Sequence, residues 1–393
     1  MKRIKIINGK IITSTRIFPG VVCVDGNKIC EISDRDIDFP HAVIVDAKGK
    51  YISPGFIDLH THGAGNSDFM DGTVDAYLTA VERHAVHGTT ALYPTTLAST
   101  YEELIHTFEV YEETITKNTK GATMMGLHLE GPYFSMNQRG AQDPKYIRNP
   151  EPKEYLSALH ATRHIKRWSA APELKGSKEF AEALSVRDIL PAIAHTDAVY
   201  EEVLPAFDWG FTHITHLYSC TSGVTRRNAF RYAGVIEAAY LIPEMTVEII
   251  ADGVHLPASL LKLVYQIKGP GKIALITDSM RAAGMPEGPS ILGSLSNGQE
   301  VIVEDGVAKL PDRSAFAGSV ATTDRLVRTM MKQGEVPLID VIKMVTSTPA
   351  RIMGIEKIKG SLSKGKDADI VVFDDDINMQ MVMINGKIIQ NKL

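Results

Sequence analysis

Seven residues whose side chains bind metals or carry protons stand at or just past the ends of apolar runs: His60, His62, Glu130, His195, His216, His255 and Asp278. His60-Thr61-His62 closes the run that begins at Gly55. Residues i and i+2 of a strand point to the same side, so the two imidazoles face one way and could together ligate Zn²⁺ or Fe²⁺. With 13 histidines in the chain a chance His-x-His is ordinary, so the pair counts only through its context. Asp58, two residues earlier, is a candidate to hold a ligand imidazole from behind. Glu130 ends the run Gly126–Glu130 directly before Gly131-Pro132, a pair that favours a turn and leaves the carboxylate at the strand's mouth. His195 follows Leu190–Ala194 and His216 follows Phe211–Thr215. One carboxylate and two imidazoles leave a position open for water, as a catalytic metal requires. His128 and His213 lie further back in the same runs and read as core or ligand-supporting histidines.

Asp278 ends the run Ile273–Thr277. A carboxylate beside such a site can take a proton from water and hand it to a departing amine; the structural alternative is a helix N-cap, which Asp also favours. Arg226 and Arg227, after the His216 run, and His255, after Asp252-Gly253-Val254, suggest an anion site, because a guanidinium offers paired donors to phosphate oxygens. Two loop arginines are also an ordinary solvated surface.

To bring these residues together, the elements that carry them must share one rim. Strand-length apolar runs recur at Gly55–His62, Thr89–Thr96, Thr123–Gly131, Arg167–Leu174, Leu190–Thr196, Phe211–Ser219, Val247–His255 and Lys272–Met280, with helical stretches after most of them. That alternation predicts an α/β fold, a (β/α)8 TIM barrel, whose active site gathers at the C-terminal ends of the strands. No Gly-x-Gly-x-x-Gly follows the early strands, so a dinucleotide-binding reading has no motif. Both ends of the chain differ from the middle. Ile4–Ile7, Val21–Val24, Ile29–Ile32 and Ala42–Val45 are short β-rich runs split by turn pairs such as Asn8-Gly9 and Asp25-Gly26; the tail repeats the style in Ile370–Phe373, Met381–Ile384 and Asn385-Gly386. The expectation is a small β-sandwich domain built from residues 1–52 and 357–393, attached to a barrel over 53–356.

A chain of 393 residues accommodates one large barrel and a satellite. Lys and Arg number 42 against 47 Asp and Glu, a net charge of −5 without long like-charge runs, which argues against nucleic-acid partners. Cys23, Cys30 and Cys220 have neither metal-site spacing nor the even count of a disulfide framework. The amino end reads as strand and turn rather than a signal segment, and no run reaches membrane-spanning length, so the cytoplasm is the expected compartment.

With these residues collected, the whole chain resembles the N-acetylglucosamine-6-phosphate deacetylases of the amidohydrolase superfamily. The resemblance rests on Pro54–Gly63, His128–Pro132, Thr215–Tyr218, Asp252–His255, Thr277-Asp278, Ala317–Ser319 and Gly365–Asp369. His128-Leu129-Glu130-Gly131-Pro132 discriminates most, because related amidohydrolases commonly place a carboxylated lysine where this family uses the glutamate. The resemblance implies a metal-dependent deacetylase of an amino-sugar phosphate, with Glu130, His195 and His216 holding the main divalent ion, Zn or Fe. His60 and His62 match members that keep a second ion, and Asp278 matches the general base and acid. Implied substrate contacts are Ala141, Gln142, Ser219, Cys220, Arg227, Asp252, His255, Phe316, Ala317 and Gly318. A cytoplasmic homodimer is implied as well. Three departures fall on the substrate side: Gln142 stands where the family usually has a histidine, Ser219 where it has an asparagine, and Arg227-Asn228-Ala229-Phe230 replaces the usual loop. They leave open the galactosamine isomer as substrate and, as an alternative of another class, a non-catalytic protein on the same fold.

Overall fold

A computed structural model describes residues 2–393. Eight parallel strands form a curved, TIM-barrel-like ring: Phe56–Thr61, Thr89–Pro94, Leu127–Glu130, Ile165–Ala170, Leu190–Ile193, His213–Ile214, Thr246–Ile250 and Ile273–Ile276. The last six pair in sequence order. The first two form a separate sheet with the two-residue strand Thr123–Met124. The run read as one strand over 123–131 is therefore split. Gly126 turns the chain there with φ 137°, and a Cβ at that position would sit 2.3 Å from Lys166. Single bridges, Thr95 to His128 and Thr61 to Ser279, span the two seams. Hydrogen bonds from Thr96 N to His128 O (3.0 Å) and from Asp278 N to His60 O (2.9 Å) reinforce them.

Alternation along these strands sorts their side chains. Leu127, Leu129, Trp168, Ala170, Ile193, Ile214, Val247 and Ile249 join the main apolar core with helix residues such as Tyr77, Ala80, Phe180, Leu184 and Leu261. The residues between them, His128, Glu130, Arg167, Ser169, His213, Thr215 and Glu248, are buried on the opposite face. Helices fill most of the crossovers, among them Val74–Ala85, Tyr101–Lys117, Ser177–Ser185 and Ala258–Lys268. Thr73 and Thr100 cap the first two of these by accepting from Ala76 N and Glu103 N.

The terminal segments form one eight-stranded sheet in the spatial order 387–391, 379–384, 370–373, 51–54, 3–12, 17–25 and 28–33, with 43–46 pairing beside 3–12. Its apolar side chains make a cluster of their own, including Ile4, Ile6, Val22, Ile52, Ile370, Val372 and Met381. Asn385 and Gly386, with φ of 48° and 76°, close a two-residue hairpin between Ile384 and Lys387. Asn8-Gly9, expected to break the chain, instead forms an irregularity within the continuous strand Arg3–Ile12. Asn8 takes φ 55° and the pairing shifts between Ile6 and Gly9, as at a bulge, so the apolar pattern resumes on the far side.

A four-stranded antiparallel sheet, Gly288–Leu292, Gln299–Glu304, Val307–Lys309 and Phe316–Ser319, follows the eighth strand of the ring and was not anticipated from the sequence. Its signal was present in Asp305-Gly306, a hairpin turn between Glu304 and Val307 with φ of 54° and 72°.

Candidate active site

The rim residues converge. Glu130 Oε1 lies 2.9 Å from His216 Nε2, 3.3 Å from His195 Nε2 and 3.6 Å from His60 Nε2; Glu130 Oε2 lies 3.4 Å from His62 Nε2. The two Nε2 atoms of His60 and His62 are 3.2 Å apart, and Asp278 Oδ1 is 3.3 Å from each. Two three-residue groups have the spacing to hold a metal ion, His60–His62–Glu130 and Glu130–His195–His216, and Glu130 is common to both. Imidazole nitrogens and carboxylate oxygens suit a divalent transition metal. Burial opposes protonation of His60, but Asp278 and Glu130 outweigh it and lift its pKa to about 9. The same balance lifts His62 to about 10. Burial likewise favours the neutral acid at Glu130 and Asp278, yet the surrounding imidazoles hold both below the ordinary carboxylate range. The field here therefore favours added positive charge, and a cation would displace the histidine protons.

The backbone presents these groups in an uncommon way. His195, His216 and Asp278 have φ of 46°, 29° and 45°, in the left-handed region that only a few per cent of non-glycine residues occupy. Such conformations cost about 1–3 kcal/mol each and persist where surrounding contacts over-determine them. Those contacts are visible: His195 Nδ1 meets Gln138 O at 2.8 Å and His216 Nδ1 meets Ser219 O at 3.0 Å. Each pairing fixes the tautomer that leaves Nε2 facing Glu130. Asp58 is buried under the pair it precedes and accepts from Thr277 N, Thr277 Oγ1 and His60 N. Burial nonetheless raises its pKa to about 7.

A cleft of about 320 Å³ opens over the cluster. Of the sequence candidates, His62, Glu130, Ala141, Gln142, His195, His216, Ser219, Cys220, His255, Asp278, Phe316 and Gly318 line it. His60 is fully buried behind them. Gln142 is held at both ends, donating from Nε2 to Glu130 Oε2 (2.9 Å) and accepting Ala98 N at Oε1 (2.9 Å). His255 pairs through Nδ1 with Asp252 Oδ2 at 2.7 Å, and its ring centroid is 4.7 Å from that of Phe316.

Three expected substrate contacts do not line the cleft. Asp252 is buried and supports His255 instead. Ala317 points into the apolar cluster of the four-stranded sheet, because alternation turns it away from its neighbours Phe316 and Gly318. Arg227 lies on the exposed hairpin Thr225–Arg227/Phe230–Tyr232, with its guanidinium over the Tyr232 ring. Arg226, offered with it from the sequence, is exposed on the same strand. His128 and His213 face other partners: His128 meets Ser169 Oγ at 2.7 Å and His213 meets Thr246 Oγ1 at 2.7 Å. Sequence reasoning missed Leu97, Tyr218 and Leu292 in the lining, and Arg167 and Glu248 beneath the cluster. The last two were legible as charged residues inside apolar strands.

A ring of parallel strands that gathers imidazoles and carboxylates around a cleft at its C-terminal rim is the layout of a metal-dependent hydrolase. The chain belongs to the amidohydrolase family, whose model matches residues 51–389. It is 31% identical over 346 residues to the N-acetylglucosamine-6-phosphate deacetylase of Lysinibacillus sphaericus, covering 88% of this chain and 87% of that protein. It is 29% identical over 346 residues to the N-acetylgalactosamine-6-phosphate deacetylase of Escherichia coli O157:H7, covering 88% and 89%. Among solved structures, a variant of the N-acetyl-D-glucosamine-6-phosphate deacetylase of Mycobacterium smegmatis, in complex with N-acetyl-D-glucosamine-6-phosphate, matches with a TM-score of 0.91 at 27% identity, covering 100% of both chains.

Proposed function

We propose that this protein hydrolyses the acetamide of N-acetylglucosamine 6-phosphate to glucosamine 6-phosphate and acetate, in amino-sugar catabolism. The observation that carries the reading is the convergence of Glu130, His195, His216 and Asp278 in one cleft, on a chain about 30% identical to such deacetylases over most of its length. Glu130, His195 and His216 would hold the main ion, zinc or iron, and His60 and His62 with Glu130 a second. A divalent ion there supplies Lewis-acid polarisation of the amide carbonyl and makes water more acidic. Asp278 accepts the proton of the attacking water and delivers it to the sugar nitrogen as the C–N bond breaks, so the amine leaves neutral. The second N–H of the Gln142 amide is available to the carbonyl oxygen, where negative charge develops. His255, its Nδ1 occupied by Asp252, presents Nε2 to the phosphate; Arg227 reaches the same group only if its exposed hairpin moves. Ser219 and Cys220 offer backbone groups to the sugar, and Phe316 and Gly318 wall its far side. The reading extends to a (β/α)8 TIM barrel over 53–356 with a terminal β-sandwich from 1–52 and 357–393, supported by the separate apolar cluster of the terminal sheet. It also extends, on the resemblance, to a cytoplasmic homodimer.

One observation favours a second substrate, the galactosamine isomer. The relative from Escherichia coli O157:H7 matches nearly as well as the glucosamine deacetylases, and the departures at Gln142 and Ser219 fall on the sugar side. Acetate release by metal-reconstituted protein, assayed with both 6-phosphates and with unphosphorylated N-acetylglucosamine, separates the readings. Turnover of the glucosamine phosphate alone is the expected result. Preference for the galactosamine phosphate reassigns the epimer, and no release from any of the three overturns the proposal.

A further inference from the structure

Beneath the rim the inner face of the ring carries a buried polar patch, Arg167, Ser169, His213, Thr215 and Glu248, whereas barrel interiors are dominated by branched apolar side chains. Arg167 and Glu248 are both fully buried and joined by a bidentate pair, Nη1 to Oε1 and Nη2 to Oε2, the latter at 2.8 Å. Arg167 Nη2 also donates to Thr215 Oγ1 at 2.6 Å, and Thr215 Oγ1 meets Ser169 Oγ at 2.9 Å. Taking two charges out of water is costly, and apolar replacements of such pairs are often neutral or stabilising. Packing therefore does not explain the pair, but its position does. Glu248 Oε2 is 3.7 Å from His60 Nδ1, and Glu248 Oε1 is 3.3 Å from His213 Nε2. Among the described residues, His60 Nδ1 is buried with no hydrogen-bond partner.

An imidazole that gives Nε2 to a metal carries its proton on Nδ1 and needs an acceptor behind it. We infer that Glu248, clamped by Arg167, is the positioning residue for His60: it accepts a hydrogen bond from Nδ1–H, fixes the tautomer and aims Nε2 at the His62–Glu130 side of the cluster. The contact at 3.7 Å is longer than a hydrogen bond, and the proposed one requires the ring to come closer to Glu248 by about 0.5 Å when the metal is bound. The two arginine nitrogens hold Glu248 by hydrogen bonds and keep it from turning toward the cleft, and His213 Nε2 lies beside its Oε1 without a hydrogen bond. The inference rests on the reading of His60, His62 and Glu130 as a metal position, and it adds a residue that touches neither metal nor substrate.

The test is a titration of metal-free full-length protein with Co²⁺, followed by absorbance and by metal content at limiting ion, for wild type, H60N and E248Q. H60N identifies the binding phase that belongs to His60. E248Q is expected to weaken that same phase by roughly 10–100-fold and to leave the other phase in place. An E248Q protein that keeps the His60 phase at wild-type affinity, even with a lowered Tm, overturns the inference and makes Glu248 structural. A wild-type titration with no phase sensitive to H60N instead overturns the metal reading beneath it. If E248Q does not fold, the double variant Arg167→Met/Glu248→Met removes both charges at near-constant volume. It is expected to fold and to show the same selective loss; wild-type binding in that variant sinks the idea.

Discussion

The rim of the parallel ring and the terminal sheet follow opposite rules. In the terminal sheet, apolar residues such as Ile52, Ile370 and Val372 are buried against one another, and the bulge and hairpin at Asn8-Gly9 and Asn385-Gly386 fall on Asn and Gly, with Lys48 and Ile377 among the left-handed exceptions in its connections. At the rim, buried imidazoles and carboxylates crowd within 4 Å of one another and two histidines adopt left-handed backbone. One region spends its sequence on stability, while the other holds an arrangement that folding alone would not select. Substitutions should therefore separate the two, costing activity without stability at the rim and stability without activity in the sheet.

The largest separation is expected at Asp278. D278N keeps the side-chain shape and tolerates the left-handed backbone, so metal content and Tm should stay near wild type while kcat falls roughly 10²–10⁴-fold. Retained turnover in a metal-replete D278N protein would remove Asp278 from proton transfer. The opposite result is expected from Ile370→Ala, at a fully buried position paired with Pro54 and Met383. Urea unfolding should show a loss of about 2–5 kcal/mol, with activity per folded molecule unchanged. A loss of activity as large as that of D278N would mean that the sheet acts on the site.

The smallest effect probes the contact between the helix Thr323–Lys332 and the C-terminal segment at Ile377. Arg328 donates to Asp324 Oδ2 and, through its other terminal nitrogen, to Ile377 O. Burial would raise the Asp324 pKa, but His87, Arg328 and Thr322 bring it down to about 2. The folded value lies below the ordinary one near 4, so this stabilisation is present above about pH 4 and is lost as pH falls toward 2. D324N should cost roughly 2 kcal/mol at pH 7 and flatten the acid limb of a stability-versus-pH curve. An unchanged acid limb would show that Asp324 does not carry it.

The sequence by itself determined the eight strands, because each is a short apolar run followed by chain enough for a crossover, and it placed Glu130, His195, His216 and Asp278 at the strand ends. It also marked both termini as β-rich, since alternation and turn pairs are local signals. It did not reveal that Asn8-Gly9 is a bulge and not a turn, nor that Gly126 splits a strand, because both depend on which neighbour each half pairs with. The partners of the chemistry were decided by tertiary structure alone. Glu130 meets His216 across 86 residues, Arg167 meets Glu248 across 81, and Gln142 is committed to Glu130 and Ala98. The left-handed backbone at His195, His216 and Asp278 belongs to the same class, since such conformations are costly alone and are held by surrounding contacts, among them His195 with Gln138 across 57 residues and Asp278 N with His60 O.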